Sequence, residues 1–430
     1  MSALHFDDSL PGLLEETQEV LGQQALSNVV VLRDASGQLT CFFDGELSEA
    51  QKGQLEQRLT ARLGRYARPE RVIADRASLG AARILSLDAD RFQWMSFGEQ
   101  RIRYLDRRIV GADWLHGPAA LATSPPRFVF ASLKGGVGRT TALCVAAAEL
   151  AQEGKNILVV DLDLEAPGIG SMLLPEGGSP RYGAIDYLAE SALYPNEDLR
   201  PWLAELVAPS TLTTGSGGRV DVVPAVGAAT RPENYLGKLS RALLDAGPSG
   251  ETLPLRDKIA RLLDELSGRS SYDVILIDSR AGLAELAAGP ILGLGATVLL
   301  FGTAQRQTVE DLRLLFAQLN ALIPPNTSSP FQQIQMVLGK MPSDPDQTGW
   351  FQEELHTLFQ EYIYEEQEGE TGFNFSSDDA SAPHYPVPIA LNSAFGAWDP
   401  TRQPGQLQRA FYNATFAPFL GKLRQLSGAI

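Results

Sequence analysis

The sequence has few of the residues that build disulfide frameworks, metal clusters or secretion signals. Only two of its 430 residues are cysteine, Cys41 and Cys144, and only four are histidine. The cysteines lie far apart without neighbouring histidines, which excludes a disulfide framework and provides no zinc or iron–sulfur ligand pattern. The acidic N-terminus lacks the basic flank and apolar run of a signal peptide. We therefore predict a reducing, cytoplasmic location.

Positive charge and long unbroken apolar runs are also scarce. The chain has 36 Lys and Arg against 52 Asp and Glu, a formal net charge of −16. Such a surface repels phosphate backbones, which disfavours direct nucleic-acid binding. Residues 283–304 are apolar but cut by glycine and proline, which predicts a helix, a loop and a buried strand. The C-terminal segment 406–430 contains Pro418 and few cations, so we predict a packed helix pair and no membrane anchor.

A segment rich in Pro, Ala, Ser and Thr at residues 116–127 divides the chain into two predicted domains. We predict an N-terminal α+β module over residues 1–118 and a larger domain over residues 126–430. In the module, two strands joined by a turn at residues 35–37 precede a helix. That helix has Ser48 as its N-cap and three leucines on one face, Leu55, Leu59 and Leu63.

Four arginines lie between apolar residues in the segment 101–115. Two interpretations remain open: a strand with a solvated charged face, and a docking surface for a partner or an acidic ligand. We predict that the N-terminal module docks a partner.

In the larger domain, apolar runs alternate with helical segments. The runs are FVFAS, NILVVD, RVDVVP, YDVILID, ATVLLF and FQQIQMVLG. This alternation predicts an α/β fold with a mostly parallel, doubly wound sheet. After the fifth run, Thr308 is predicted to cap a helix with Asp311 in its first turn. A helical and acidic insertion is predicted at about residues 345–385.

A glycine-rich turn, KGGVGRTT at residues 134–141, follows the first apolar run and precedes a helical segment. Backbone N–H groups at the start of a helix bind phosphate, and glycines let the chain wrap closely around it. Gly135, Gly136 and Gly138 supply the wrap, and the Thr140 hydroxyl is positioned to bind Mg²⁺. The turn therefore predicts a phosphate-binding loop.

This loop departs from the common pattern G-x-x-x-x-G-K-[ST], because Leu133 and Arg139 replace its first glycine and its lysine. It resembles the deviant Walker A motif KGGxGKTT of the MinD and ParA ATPases, in a KGGVGR variant. Residues 157–168 resemble the D-x-D strand of that family, with Asp161 and Asp163. Residues 274–283 resemble its Walker B strand, with Asp278. In a parallel sheet the ends of such strands meet at one crevice.

The resemblance implies a P-loop NTPase of the SIMIBI type that uses ATP and Mg²⁺. The residues it assigns to nucleotide binding are Gly135, Gly136, Val137, Gly138, Arg139, Thr140 and Thr141. It assigns Thr140, Asp278 and Asp161 to the metal, and Lys134, Asp163 and Arg139 to catalysis. Asp163 would orient the attacking water, and Lys134 would reach the nucleotide of a partner subunit. GTP is disfavoured because Lys340 is not followed two residues later by an aspartate.

Arg139, in place of the usual lysine, bears on the predicted rate of ATP hydrolysis. An arginine donates two hydrogen bonds to phosphate but is bulkier and more planar than lysine. We predict that binding survives and that turnover is slow. For Arg280 two interpretations remain open: contact with the phosphate or the partner subunit, and a surface salt bridge.

The function predicted from the resemblance is an ATP-dependent homodimer that acts as a switch for an unidentified protein partner. Bacterial accessory and defence systems are among the settings in which KGGVGR-type proteins are expected. One alternative is a nucleotide-dependent adaptor that does not hydrolyse ATP, for which Arg139 is the motive. Another is a partitioning or positioning ATPase. The presence of Thr140, Asp161 and Asp163 favours hydrolysis, because a dead site needs none of them.

Overall fold

A computed structural model of the chain describes residues 4–122, 124–190, 193, 200–213, 215, 217–245, 253–325, 327–365 and 372–428. The chain forms two compact units. The first comprises Met1–Gly117 and Ala317–Ser328, and the second comprises Pro118–Phe316 and Ser329–Ile430. The sequence did not indicate that residues 317–328 belong to the first unit. Within the described ranges, no helix is both long enough and apolar enough to cross a membrane.

The first unit contains a five-stranded sheet in the order β3-β2-β1-β5-β4. Its strands are β1 (Val29–Arg33), β2 (Leu39–Phe43), β3 (Ile73–Ala74), β4 (Gln93–Phe97) and β5 (Gln100–Asp106), and its helices are α1 (Phe6–Leu21), α2 (Glu49–Leu63) and α3 (Ala81–Leu85). The predicted hairpin is confirmed, because β1 and β2 pair antiparallel.

The helix predicted after this hairpin is also confirmed. Helix α2 begins after Ser48, whose hydroxyl accepts a hydrogen bond from the Gln51 amide while the Gln51 side chain accepts one from the Ser48 amide. This reciprocal capping satisfies two N–H groups at the start of the helix. Leu55, Leu59 and Leu63 are buried against the sheet, as their spacing predicts.

Two of the four clustered arginines are bound within the first unit. Arg101 donates from Nη2 to the backbone oxygens of Trp94 at 3.1 Å and Ile323 at 3.2 Å. Arg108 forms an ion pair with Asp106, with its Nε 2.6 Å from Oδ2. These contacts support a structural interpretation for these two side chains. The docking role of the first unit stays a prediction.

The second unit contains an eight-stranded sheet in the order β13-β12-β11-β6-β10-β7-β9-β8. Its strands are β6 (Arg127–Ser132), β7 (Asn156–Asp161), β8 (Ala208–Pro209), β9 (Arg219–Val223), β10 (Val274–Ala281), β11 (Thr297–Gly302), β12 (Ile334–Met341) and β13 (Val387–Ala390). All neighbouring strands are parallel except β8 and β9. The prediction of a mostly parallel α/β sheet is confirmed. The two short edge strands, β8 and β13, were not predicted.

The remaining helices lie between these strands or follow them. They are α4 (Arg139–Gln152), α5 (Ile169–Leu173), α6 (Ala184–Glu190), α7 (Arg200–Leu203), α8 (Tyr235–Ala242), α9 (Leu255–Arg269), α10 (Glu285–Leu292), α11 (Arg306–Asn320), α12 (Pro345–Tyr362) and α13 (Arg409–Ser427). Helix α12 lies where the insertion was predicted, and residues 366–371 of its acidic loop lie outside the described residues.

The core of the second unit surrounds β6 and α4. Every residue of α4 from Ala142 to Ala151 is buried, and half of these residues are alanines. Alanine favours the helix and leaves it thin enough to pack closely on the sheet. Below it, the Phe130 ring stacks on Phe301 at a centroid distance of 5.8 Å. The helix that begins at the glycine-rich loop is therefore held by a dense apolar base.

The predicted start of α11 was wrong. The helix begins at Arg306, so Thr308 lies inside its first turn and Asp311 lies in its second. The Thr308 amide donates to the Gln305 backbone oxygen at 3.0 Å. The Thr308 side chain is buried, and a Cβ atom on Gly302 of β11 would lie 2.7 Å from its Cγ2. Burial of its methyl group takes precedence over capping.

The predicted pair of terminal helices was also wrong, because α13 is one helix that contains Pro418. A proline inside a helix costs about 3 kcal/mol through its missing N–H and its clash with the preceding turn. The buried apolar side chains on one face of α13 offset that cost: Tyr412, Phe416, Phe419, Leu420 and Leu423. Packing against the core therefore keeps the helix continuous.

Candidate nucleotide site

The glycine-rich loop connects the end of β6 directly to the start of α4. Residues 133–138 form the loop, and Arg139, Thr140 and Thr141 form the first turn of the helix. Gly136 and Gly138 have φ angles of 75° and 92°, a region that residues with side chains rarely adopt. The first N–H groups of a helix have no partner within it and favour an anion. The loop has the geometry of a phosphate-binding site.

A glycine of β12 passes directly against this loop. A Cβ atom on Gly339 would lie 2.2 Å from the backbone oxygen of Val137. Only a residue without a side chain allows the strand and the loop to approach so closely. No local sequence pattern predicts this contact, because Gly339 and Val137 lie far apart along the chain.

Replacement of Gly339 by alanine is expected to displace the Val137 carbonyl and distort the loop. Overpacking of this kind costs about 1–3 kcal/mol, and where that cost falls on the conformation of the loop that binds nucleotide, it weakens binding by about 5- to 150-fold. Titration with a fluorescent ATP analogue measures the change. The matched control is Gly349→Ala in α12, where the added Cβ would contact nothing within 4 Å. Equal affinities for both variants would contradict a close packing requirement at Gly339.

Two aspartates lie side by side, one at the end of β7 and one in the second half of β10. Asp161 and Asp278 are register partners on these parallel strands, and both are buried. Asp161 accepts hydrogen bonds from the backbone N–H groups of Asp163, Gly168 and Ile169, each at 3.1 Å. Burial, and then the neighbouring charge of Asp278, raise its pKa to about 8 against the opposing effect of these bonds. Asp161 therefore pins the loop that follows β7.

Asp278 connects β10 to the first turn of α4. Its Oδ1 accepts a hydrogen bond from Arg139 Nε at 2.7 Å, and its Oδ2 accepts one from the Thr140 hydroxyl at 2.8 Å. Burial raises the pKa of Asp278 to about 6, and the Arg139 cation opposes that rise. The helix that follows the glycine loop and the acidic strand end are thus directly bonded.

Arg139 lies beneath the loop among the carboxylates. Its side chain is only 8% exposed, and its Nη2 donates to Asp163 Oδ2 at 2.8 Å. Its Nη1 donates to the Ser132 hydroxyl at 3.2 Å. Together with the bond to Asp278, these contacts use all three nitrogens of the guanidinium. The sequence predicted hydrogen bonds to phosphate for this side chain, and its place among buried acids was not predicted.

The other predicted cations lie at the rim of the site. Lys134 is exposed, and its Nζ donates to the side-chain oxygens of Gln305 at 3.3 Å and Gln307 at 3.1 Å. Arg280 forms an ion pair with Glu165, which favours the surface salt bridge of its two interpretations. The two glutamines were not predicted. Their position just after β11, a neighbour of β6, is the signal that indicates them.

Two cavities border the loop and the acids. One of about 240 Å³ is lined by Val137 and Thr141 on one side, and by Lys340 and Asn392 on the other. A larger one of about 680 Å³ lies beside Asp161. Asn392 follows the unpredicted strand β13, so sequence reasoning missed this wall of the smaller cavity.

The oxygen donors of the site suit Mg²⁺ in their chemistry. Hydroxyl and carboxylate oxygens, here those of Thr140 and Asp278, are ligands that this hard cation prefers. Among the residues that the structure describes, however, no three or more His, Cys, Asp and Glu side chains are grouped to hold a metal ion. Both oxygens of Asp278 are already bonded, one of them to the Arg139 cation. The donors fit the metal, but a cation of the protein lies among them.

A protein-family model described as an AAA domain matches residues 127–168. The match covers β6, the glycine loop, α4, β7 with Asp161 as its last residue, and Asp163 just after it. It supports the resemblance to P-loop ATPases of the MinD and ParA type. No curated protein matches the sequence significantly.

Several solved structures are similar to part of the chain. One is the septum site-determining protein MinD complexed with Mg-ADP from Pyrococcus horikoshii OT3, with 21% identity over 44% of this chain and 63% of that chain and a TM-score of 0.31. Another is the MinD cell division protein of Aquifex aeolicus. The identity is 16% over 70% of this chain and 97% of that chain, and the TM-score is 0.42. A third is a putative plasmid partition protein from Borrelia burgdorferi B31 bound to AMPPNP. The identity is 18% over 70% of this chain and 100% of that chain, and the TM-score is 0.41. These likenesses concern the fold.

Proposed function

We propose that this chain binds ATP and Mg²⁺ at the glycine-rich loop, hydrolyses ATP slowly, and dimerises in response to the nucleotide to control a protein partner. The observation that carries the proposal is the hydrogen bond from the Thr140 hydroxyl to Asp278 at 2.8 Å. Thr140 lies in the first turn of α4, which follows the glycine-rich loop, and Asp278 lies in β10, the strand next to β6. The bond joins these two elements. Phosphate-binding and metal-binding groups are thereby in contact.

The loop and the first turn of α4 supply the groups that bind the phosphates. The backbone N–H groups of residues 135–141 would donate hydrogen bonds to the phosphates. They would also stabilise the negative charge that develops during hydrolysis, with little movement of the loop. Thr140 and Asp278 would hold Mg²⁺, with Asp161 behind them, and a bound Mg²⁺ offsets the charge of the phosphates. The cavity lined by Thr141 and Asn392 is the proposed place for the base.

Asp163 is the proposed group that orients the attacking water. It is the most exposed of the three aspartates at the site, and one of its oxygens already holds the Ala166 amide at 3.3 Å. That bond fixes the carboxylate in one orientation. Hydrolysis of a phosphoanhydride depends mainly on positioning and charge stabilisation. We expect slow turnover because Arg139 ties up Asp163 and Asp278 together.

Lys134 is the proposed contact between two subunits. Its ammonium is exposed and bonded to two neutral amide side chains, so it carries an uncompensated charge at the rim of the loop. A cation in this place is suited to the phosphates of a nucleotide held by a second copy of the chain. If the nucleotide lies between subunits, association and binding are coupled by mass action.

Measurement of mass in solution by light scattering tests this proposal. We expect the mass of the wild type to double when ATP and Mg²⁺ are added. The Lys134→Ala variant is expected to bind ATP and remain a monomer. Lys155→Ala, at the opposite end of β7, serves as the control and is expected to dimerise. A wild-type mass that does not respond to ATP would contradict the switch.

The second candidate is an adaptor that binds ATP and does not cleave it. The specific observation in its favour is the pair of ion pairs from Arg139 to Asp163 and Asp278. If these contacts persist in the nucleotide complex, the water-orienting carboxylate is not free to act. Release of phosphate in a single turnover separates the two candidates.

A further inference from the structure

We propose that Arg139 and Mg²⁺ compete for Asp278, so that the guanidinium is an internal stand-in for the metal until the metal displaces it. The proposal concerns how the site of the proposed function is filled, and for its nucleotide-bound state it rests on that function. It starts from two buried carboxylates, those of Asp163 and Asp278, that share one buried cation, Arg139, beside the buried Asp161.

Both oxygens of Asp278 already accept a hydrogen bond while Arg139 is in place. One oxygen accepts from Arg139 Nε and the other from the Thr140 hydroxyl. The groups that would bind Mg²⁺ are therefore bonded to each other and to an arginine. Two cations a few ångströms apart repel strongly in a buried site. Mg²⁺ therefore binds Asp278 only after the guanidinium has left it.

The shape of arginine explains why this residue fills the site firmly. Its planar fork presents Nε to Asp278, Nη2 to Asp163 and Nη1 to Ser132 at the same time. A lysine has one compact charge and no fork, so it does not hold two carboxylates in fixed directions. Buried carboxylates without a counter-charge are strongly destabilising. The arginine thus offsets part of the negative charge of the metal-free site.

Two consequences follow for the behaviour of the protein. Without nucleotide, Mg²⁺ has little to add to stability, because its place beside Asp278 is taken. With nucleotide, Mg²⁺ strengthens nucleotide binding less than it otherwise would, because part of its binding free energy is used to displace Arg139 from Asp278. Once displaced, the guanidinium is available to the phosphates. The metal and the orientation of Arg139 are therefore linked.

Thermal unfolding with MgCl₂ alone tests the competition without any nucleotide. We expect millimolar MgCl₂ to leave the melting temperature of the wild type unchanged relative to NaCl of equal ionic strength. The Arg139→Gln variant is expected to melt lower and to regain about 2–4 °C when MgCl₂ is added. Equal stabilisation of both proteins by MgCl₂, or no response in the variant, would overturn the proposal.

Affinity for AMPPNP, with Mg²⁺ and with EDTA, provides a second test in which the charge at position 139 is kept. For the wild type we expect removal of Mg²⁺ to weaken binding by about threefold, and for Arg139→Lys by at least about tenfold. The same ratio in both proteins would overturn the proposal. If neither protein binds AMPPNP under either condition, the proposed function fails, and the unfolding experiment still decides whether Arg139 and Mg²⁺ compete.

Discussion

Replacement of Asp163 by alanine is expected to slow the cleavage of ATP in a single turnover by about 10²- to 10⁴-fold, the range typical for loss of a positioned acid or base. Asp161 is committed to three backbone N–H groups, and Asp278 to Arg139 and Thr140. Asp163 is also bonded, to Arg139 and to the Ala166 amide, but it is the most exposed of the three, and displacement of Arg139 would free its Oδ2. We therefore propose it as the acid that receives the water. Its removal leaves the loop amides in place, so ATP affinity is expected to stay within about threefold.

The measurement uses excess protein and labelled ATP, with release of phosphate followed over time. Glu165→Ala is the matched control, since this carboxylate lies two residues further on and is partly exposed in its ion pair with Arg280. It is expected to cleave at the wild-type rate within about twofold, because a partly exposed ion pair contributes little. A wild type that releases no phosphate would favour the adaptor. Equal rates for Asp163→Ala and the wild type would remove Asp163 from the mechanism.

The parts of the site that the sequence predicted are those fixed by local pattern. Continuous apolar runs that end in aspartate predicted β7 and β10. Strand β7 ends at Asp161 as expected, whereas β10 continues past Asp278 to Ala281. Parallel strands bring their carboxyl ends to one edge, so the proximity of Asp161 and Asp278 followed from the fold class. The glycine turn predicted the junction between β6 and α4 for the same reason, because it depends on consecutive residues.

The parts that the sequence did not predict depend on contacts between distant residues. The approach of Gly339 to Val137 depends on which strands are neighbours in the folded sheet. The direction of Arg139 depends on which buried carboxylates lie within reach of its guanidinium. Secondary-structure propensities and sequence motifs describe neither the order of strands in the sheet nor the surroundings of a buried side chain. The same holds for α13. Its apolar side chains pack against core residues that are distant in sequence, and this packing keeps the helix continuous through Pro418, which by local propensity would end it.

A buried carboxylate on α4 is the basis of the second large effect, which concerns stability. Glu149 accepts hydrogen bonds from Arg409 Nε at 3.0 Å and from the Tyr412 hydroxyl at 2.7 Å, and it pairs with Arg424. All three partners lie on α13. The carboxylate therefore fastens the terminal helix to the helix that carries the glycine loop.

The double variant Arg409→Ala/Arg424→Ala is expected to lower the free energy of unfolding of the second unit by about 3 kcal/mol. Removal of the cations that pair a buried charge costs about 3–5 kcal/mol. The lower end applies because the Arg409 and Arg424 side chains are 50% and 33% exposed, so their truncation admits water to Glu149. Urea unfolding followed by circular dichroism measures the change. The transition of the second unit must be separated from that of the first, because a chain with two units need not unfold in one step.

Two further variants identify the physical cause of that loss. Arg313→Ala removes an ion pair in which both side chains are 44% exposed, and it is expected to cost less than about 1 kcal/mol. Addition of Glu149→Gln to the double variant removes the buried charge and is expected to restore part of the lost stability. If the triple variant is no more stable than the double variant, the loss comes from the packing of the arginine side chains against α4. Recovery would instead show that an unpaired buried charge on the loop-bearing helix is what the terminal helix neutralises.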